Sequence, residues 1–379
     1  VDAEQAGSDP PEGTFSLRYL PALDGFRAFT VLWVVAFHCE VTQAKGGFLG
    51  VDVFLAISGF LITAILLREH ERSGRIDLKR FYLRRALRLL PALLALLLAV
   101  VVGTALLRPH LIEVTLSDAL WALFYSQNWG WAYGFHTPHL LSHTWSLSLE
   151  EQFYVLWPLC LLLILRAPRR LRGRLFVGLT TLSFLWPAFL ADREDWIRLY
   201  VMPDTRGCGL VAGCLLAYVL HTFGDRPFAR WRAPLQIGAL LAIALLSVGA
   251  ATFDHRWAAF YRYGLLLVAA ASVLVILDLA IRPQGVLTRI MGQPFFVWLG
   301  KLSYGIYLWH YPIARTLKTL PPSARFAAVS VLSVALAAAS YYLLEVPCLR
   351  LKDRFRAAGT APRYATPAPI RSDEDPPQP

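Results

Sequence analysis

Residues 20–40 read LPALDGFRAFTVLWVVAFHCE. At 1.5 Å per residue this run makes about 30 Å of helix, enough to cross the hydrocarbon core of a bilayer. It is apolar apart from a few residues, among them Asp24, Arg27 and His38. Ionisable groups inside a membrane span are expensive and normally face the bundle interior. The stretch therefore reads as a membrane helix that carries chemistry. Arg27 and His38 are eleven residues apart, which leaves them about 20° apart around the helix and about 16 Å apart along it. Both face one side, Arg27 in the inner half and His38 near the outer end. Asp24 stands at i−3 from Arg27, where the two side chains can pair.

Nine further candidate spans follow: 48–67, 88–107, 144–165, 175–190, 205–221, 234–252, 260–281, 296–315 and 324–346. The whole chain of 379 residues is 56% hydrophobic and 17% charged, and its mean hydropathy is +0.48. Soluble domains are about 45–50% apolar and about 25% charged. A soluble multidomain enzyme and a disordered chain are both excluded. The expected architecture is an all-α integral membrane bundle of about ten helices with both termini cytoplasmic. In that topology the inner segments carry 25 of the 37 basic residues and the outer segments carry 6. This is the positive-inside pattern. The net charge of +11 is then a topology label, not a nucleic-acid footprint. Segment 117–131 (SDALWALFYSQNWGW) is too short to span and reads as interfacial or re-entrant. Residues 1–19 read as a disordered cytoplasmic tail with no signal-peptide pattern. Residues 20–350 form the membrane domain, and 351–379 a Pro-rich cytoplasmic tail.

Polar residues inside the spans mark the candidate site. GFLGVDVFLAISGFLIT (47–63) puts Asp52 about one turn below the outer surface, at the depth of His38. There it either orients the imidazole or caps a helix start. Ser58 and Gly59 read as close-packing residues. In HTWSLSLEEQFYVLWP (143–158), His143, Ser146, Glu150, Phe153 and Trp157 share one stripe, while Glu151 points towards the interface. In LGKLSYGIYLWHYPI (299–313), Ser303, Tyr307 and His310 share a stripe with Tyr304 beside it. Lys301 and Tyr311 fit an interfacial belt. His38, Asp52, Glu150 and His310 are thus expected at one outer depth on four helices, with Arg206 at the same level. Arg27 and the basic 68–88 loop lie inward, where they suit the phosphates of a donor or anionic lipid headgroups. His136, His139 and His143 are interrupted by Pro138 and have no clustered Cys or Asp, so no metal site is expected. The five cysteines are an odd number without a CxxC pair and read as small buried hydrophobes. Arginine outnumbers lysine 32 to 5, a bias of GC-rich bacterial genomes.

Seven motifs occur in order: LDGFRAFTVLWVVAFH, GVDVFLAISGFLIT, FYLRRALRLLP, HTWSLSLEEQFYVLWP, DTRGCGLVAG, LGKLSYGIYLWHYP and LEVP. Together they resemble the acyltransferase-3 family of bacterial integral membrane acyltransferases over about residues 20–350. The resemblance implies transfer of an acetyl or other short acyl group from acyl-CoA, with acetyl-CoA the expected form, to a hydroxyl. The implied acceptor is a surface glycan or a macrolide-type secondary metabolite. The family's Arg-x10-His motif matches Arg27 and His38, and its WSLxxExQFY motif puts its glutamate at Glu150. Its SYxxYLxH motif matches Ser303, Tyr304, Tyr307 and His310, and its arginine-rich stretch matches Arg84, Arg85 and Arg88. Many relatives carry a C-terminal esterase-like domain; this sequence reads as the stand-alone membrane form, which speaks against peptidoglycan-type two-domain chemistry.

The expected assignment makes His38, Asp52 and Glu150 catalytic, and Arg27, Arg84, Arg85 and Arg88 donor-binding. Arg206, Ser303, Tyr304, Tyr307 and His310 are supporting or oxyanion candidates. The expected location is the bacterial cytoplasmic membrane, with no tightly bound cofactor. A proton-coupled transporter or flippase is the competing class, since buried Asp, Glu and His also build proton relays. The two halves of the chain show no convincing repeat of the kind transporters carry.

Overall fold

The computed structural model describes residues 19–354, and nearly all of both expected tails lies outside the described residues. Among the described residues there are helices and links but no β-strand. The first helix, α1 (Pro21–His38), starts with proline at its first turn, where the missing N–H costs nothing. It is followed by α2 (Leu49–Ser73), which Gly74 ends in the left-handed conformation at φ 68°. Asp77 then accepts a hydrogen bond from the Arg80 amide and caps α3 (Leu78–Leu107). The basic 68–88 segment is therefore not a loop. Its two parts continue α2 and α3, and only a four-residue link, 74–77, separates them. Consequently Arg84, Arg85 and Arg88 are held at fixed positions on α3.

Two short helices come next, α4 (Ile112–Leu123) and α5 (Gln127–Ala132). Thr115 at one end of this segment bonds Thr104 near the end of α3 at 3.5 Å. Tyr125, ten residues on, shares a pocket with Arg85, Leu89 and Leu90. The segment thus runs back along α3 by about 15 Å, the course that the re-entrant form of the two expected from sequence would take. Non-helical backbone at such depth needs polar partners. The Gln152 amide donates to the Tyr125 carbonyl at 2.8 Å. Fully buried Asp118 ties the two arms together, accepting from Gln127 and from the amides of His139, Leu140 and Leu141.

The remaining helices are α6 (Trp145–Arg166), α7 (Arg169–Leu190), α8 (Trp196–Val201), α9 (Pro203–Arg206), α10 (Cys208–Phe223), α11 (Arg232–Thr252), α12 (Leu265–Ile281), α13 (Val286–Met291), α14 (Pro294–Lys301), α15 (Ser303–Thr316), α16 (Pro322–Ser340) and α17 (Val346–Arg354). Seven helical stretches are long and apolar enough to cross a membrane, and they coincide with seven of the ten expected spans. The other three differ for visible reasons. Helix α1 carries its three ionisable residues, α10 has only 16 residues, and the expected span 296–315 is broken into α14 and α15. At the break the Leu302 amide is shared between the Trp298 and Leu299 carbonyls, which tightens the turn. Helix α17 runs to Arg354, four residues into the expected tail.

Helices α1, α2, α10 and α12 form the interior, while α7, α11 and α16 stand outside with exposed leucine and valine, such as Leu185, Leu241 and Val331. An apolar exterior suits a helix that faces lipid. The crossing of α2 and α10 depends on glycine. A Cβ on Gly59 would lie 1.9 Å from the Leu210 carbonyl oxygen, and one on Gly213 would lie 2.1 Å from that of Ala56. This contact of small residues sets the height of Asp52 against Arg206.

Candidate active site

The end of α1 and the middle of α15 bring two expected residues together. His38 Nδ1 lies 3.0 Å from His310 Nε2 and 3.0 Å from the Val34 carbonyl. His310 Nδ1 lies 2.6 Å from the Tyr307 carbonyl. A carbonyl only accepts, so both rings carry hydrogen on Nδ1. His310 Nε2 is then a bare acceptor facing His38, and the free lone pair of His38 is on Nε2. That tautomer leaves Nε2 of His38 as a free acceptor while its other nitrogen is held in place. A third imidazole joins them. His143, in the turn before α6, has its ring centroid 5.4 Å from that of His310 and stacks on Tyr311 at 5.0 Å. Its Nε2 donates to the Leu308 carbonyl at 3.1 Å, leaving a buried Nδ1 without a partner. His310 and His143 are buried, and His38 is half-buried.

Asp52 does not reach this cluster. The expected Asp52–His38 pairing is replaced by an ion pair with Arg206 at 2.9 Å. The close approach of α2 and α10 puts these two groups together. Arg206 is fully buried among Phe48, Tyr200, Phe260 and Trp145, with ring centroids 4.9 to 6.0 Å from its guanidinium carbon. The pair joins helices, and Arg206 is not placed to meet a reacting oxygen beside His38.

Glu150 departs from the common depth as well. Its Oε1 accepts from Ser58 Oγ at 2.5 Å and from Tyr154 Oη. Ser58 is six residues beyond Asp52 on α2, so Glu150 lies about 9 Å deeper than Asp52. Ser58 is thus a partner of Glu150, beyond the packing role expected of it. Glu150 lines a narrow cleft of about 40 Å³. The other walls are Arg27, Val51, Phe54, Leu55, Ser146, Leu147, Ser303, Tyr304 and Tyr307. Ser303 Oγ is buried and has no hydrogen-bond partner. Of the oxyanion candidates, Tyr304 donates to the Leu89 carbonyl at 3.0 Å and Tyr307 to the His143 carbonyl at 2.8 Å. Both hydroxyl hydrogens are therefore already committed. Ser146 Oγ lies 2.5 Å from Tyr307 Oη, which joins the cleft to the turn carrying His143.

The basic residues divide. Arg85 pairs with Glu151 at 2.9 Å and lies 3.2 Å from the Tyr154 ring centroid. Glu151 is thereby turned to Arg85 instead of the interface. Arg84 lies 3.7 Å from Glu69. Arg27 stands over the Phe54 ring at 5.6 Å, and Asp24 accepts from Tyr19 at 2.7 Å. Exposed Arg88 feels the like charges of Arg27 and Arg85, partly offset by the carboxylate of Asp24. Like charges so close repel, and an anion between them would relieve the repulsion.

Among the described residues no three His, Cys, Asp or Glu side chains converge as metal ligands. His136 Nε2 lies 2.6 Å from Asp118 Oδ1, and His143 belongs to the histidine cluster instead. Sequence reasoning missed the Asp118–His136 pair, because eighteen residues and a turn separate them. It placed His143 on the Glu150 stripe without a role. The triad shows that the stripe was the usable signal.

A family model described as an acyltransferase domain matches residues 20–344. The chain is 36% identical over 311 residues to the peptidoglycan O-acetyltransferase OatA of Listeria monocytogenes, covering 79% of this chain and 50% of that protein. It is 34% identical over 309 residues to the putative peptidoglycan O-acetyltransferase YrhL of Bacillus subtilis, covering 78% and 49%. It is 35% identical over 324 residues to the O-acetyltransferase OatA of Staphylococcus aureus, covering 80% and 52%. The chain spans about half the length of these curated relatives. No solved structure matches it.

Proposed function

The chain belongs to this acyltransferase family, and from that membership we propose that it is a membrane-embedded O-acetyltransferase unit acting on a cell-wall glycan, with acetyl-CoA as donor. The unit sits in the bacterial cytoplasmic membrane as ten spans with both termini inside. The basic-residue asymmetry supports that topology, with α1, α10 and the broken α14–α15 pair completing the seven long spans. Relatives that are peptidoglycan O-acetyltransferases favour a glycan hydroxyl, including that of peptidoglycan, over a macrolide. Nothing in the comparisons favours a transporter.

One observation carries the mechanism: the His38–His310 pair stands beyond a cleft whose far end is cationic. Arg27 and Arg88 hold the donor phosphates, and the thioester points towards His38. The acceptor hydroxyl lies within about 3 Å of His38 Nε2. His38 takes the hydroxyl proton as the oxygen attacks the thioester carbonyl. The carbon–sulfur bond then breaks, and the CoA thiolate leaves with the proton that His38 releases. His310 acts by holding His38 in the tautomer that frees Nε2, the task a carboxylate performs in other base dyads.

The test supplies membranes containing the chain with acetyl-labelled acetyl-CoA and a glycan acceptor. Covalent label on the glycan, as a mass increase of one acetyl group, is the expected result. Movement of acceptor across vesicles without a mass change would overturn the proposal.

A further inference from the structure

Glu150 lies too deep to share the proton that His38 handles. Tyr307 is one turn below His310 on α15, and Ser146 meets Tyr307 hydroxyl to hydroxyl. Glu150 is four residues further along α6, which places it about 10 Å below the histidine pair. A proton passes directly between groups only at hydrogen-bond distance. Glu150 Oε1 is already occupied by Ser58 and Tyr154. Those two donors both bond Oε1 and hold the carboxylate in one orientation on the wall of the cleft. Opposite, Ser303 offers the complementary group, a buried hydroxyl with no partner. An unmade hydrogen bond at a buried group is costly, and a ligand in the cleft would restore it. Between them the walls are apolar side chains of α2 and α6, among them Leu55 and Leu147.

A carboxylate acceptor, a hydroxyl donor and apolar walls suit a thin chain that carries amides. We infer that Glu150 and Ser303 form a polar collar that binds the pantetheine arm of the acyl donor, Glu150 accepting from an arm amide N–H and Ser303 donating to an arm carbonyl. Glu150 thereby positions the thioester and takes no part in proton transfer. The inference rests on acyl-CoA being the donor. The run from Arg27 to His38 along α1, about 16 Å, is the reach that an extended arm must cover from its phosphates to its thioester.

The test measures donor kinetics of the full chain, as wild type, Glu150→Gln and Ser303→Ala, with acetyl-CoA and a glycan acceptor. Glu150→Gln replaces an anionic acceptor by a neutral amide, so KM for acetyl-CoA should rise about tenfold. Its kcat and pH profile should match those of wild type. Ser303→Ala removes a hydroxyl that no protein group needs, so it should fold normally and raise the same KM several-fold. A fall in kcat of about a hundredfold at constant KM, or a lost limb of the pH profile, would give Glu150 a proton-transfer role and overturn the inference. Unchanged KM in both variants would also overturn it, leaving Glu150 a structural partner of Ser58 and Tyr154. A wild type inert with acetyl-CoA but active with another donor would overturn the donor reading itself, and the collar with it.

Discussion

Replacing Asp52 by asparagine separates two accounts of the outer charges. Proximity in sequence gives Asp52 to His38, and the fold gives it to Arg206. In the folded chain Arg206 has no solvent exposure, and its one anionic partner among the described residues is Asp52 at 2.9 Å. Its Nε and Nη1 have no hydrogen-bond partner. Removing the carboxylate leaves a buried guanidinium compensated only by four aromatic rings. Breaking a buried ion pair costs about 3–5 kcal/mol, and ring contacts of this kind offset about 1–2 kcal/mol at most. A net loss of about 1–4 kcal/mol follows. Detergent-solubilised Asp52→Asn should therefore unfold at clearly lower temperature or denaturant, followed by tryptophan fluorescence. The double variant Asp52→Leu/Arg206→Met removes both charges and should recover most of that loss. At low temperature, folded Asp52→Asn should keep most of its transferase activity. An Asp52→Asn protein as stable as wild type yet inactive would refute the reasoning and return Asp52 to the imidazole.

His310→Ala removes the ring acceptor of the His38 Nδ1 hydrogen and should lower kcat about a hundredfold, with partial rescue by His310→Gln, whose side-chain oxygen can accept; steady-state rates check this. Asp118→Ala leaves three backbone amides and two side chains of the re-entrant segment without their acceptor. It should cost about 3 kcal/mol or more and speed proteolysis within 133–141, measured by timed digestion. His255 lies in the link between α11 and α12, where burial pushes its pKa down to about 4; neighbouring Arg256 and Arg206 add to this, and Asp254 opposes it. The unfolded chain takes that proton near pH 6.5, so stability is lost as pH falls from about 6.5 to 4, by about 1–2 kcal/mol once solvent screening of this partly exposed ring is allowed for. Melting curves at pH 7 and pH 5 should converge in His255→Asn.

Seven of the spans were legible because a long apolar helix stands out in the sequence by length and composition alone. The break at Leu302 was not legible, since the glycines that flank it, Gly300 and Gly305, are common inside membrane helices and the cause is a local sharing of hydrogen bonds. Depth along separate helices was read too coarsely. Counting from span ends placed Asp52 and Glu150 level, but the glycine-mediated crossing of α2 and α10 and the Ser58–Glu150 bond set their true heights. The His38–His310 meeting was foreseeable as a common level, though not as a contact. The partner of Arg85 was hidden because Glu151 appeared to face away; on a helix 100° is enough to reach a neighbouring helix instead of lipid.

The most direct measurement is acetyl transfer by purified His38→Ala beside wild type, with labelled acetyl-CoA and a glycan acceptor at saturating concentrations. Equal folding is checked by thermal unfolding. Loss of label transfer with retained donor binding is the result that the base role of His38 requires. Full transfer by a well-folded His38→Ala protein would contradict it.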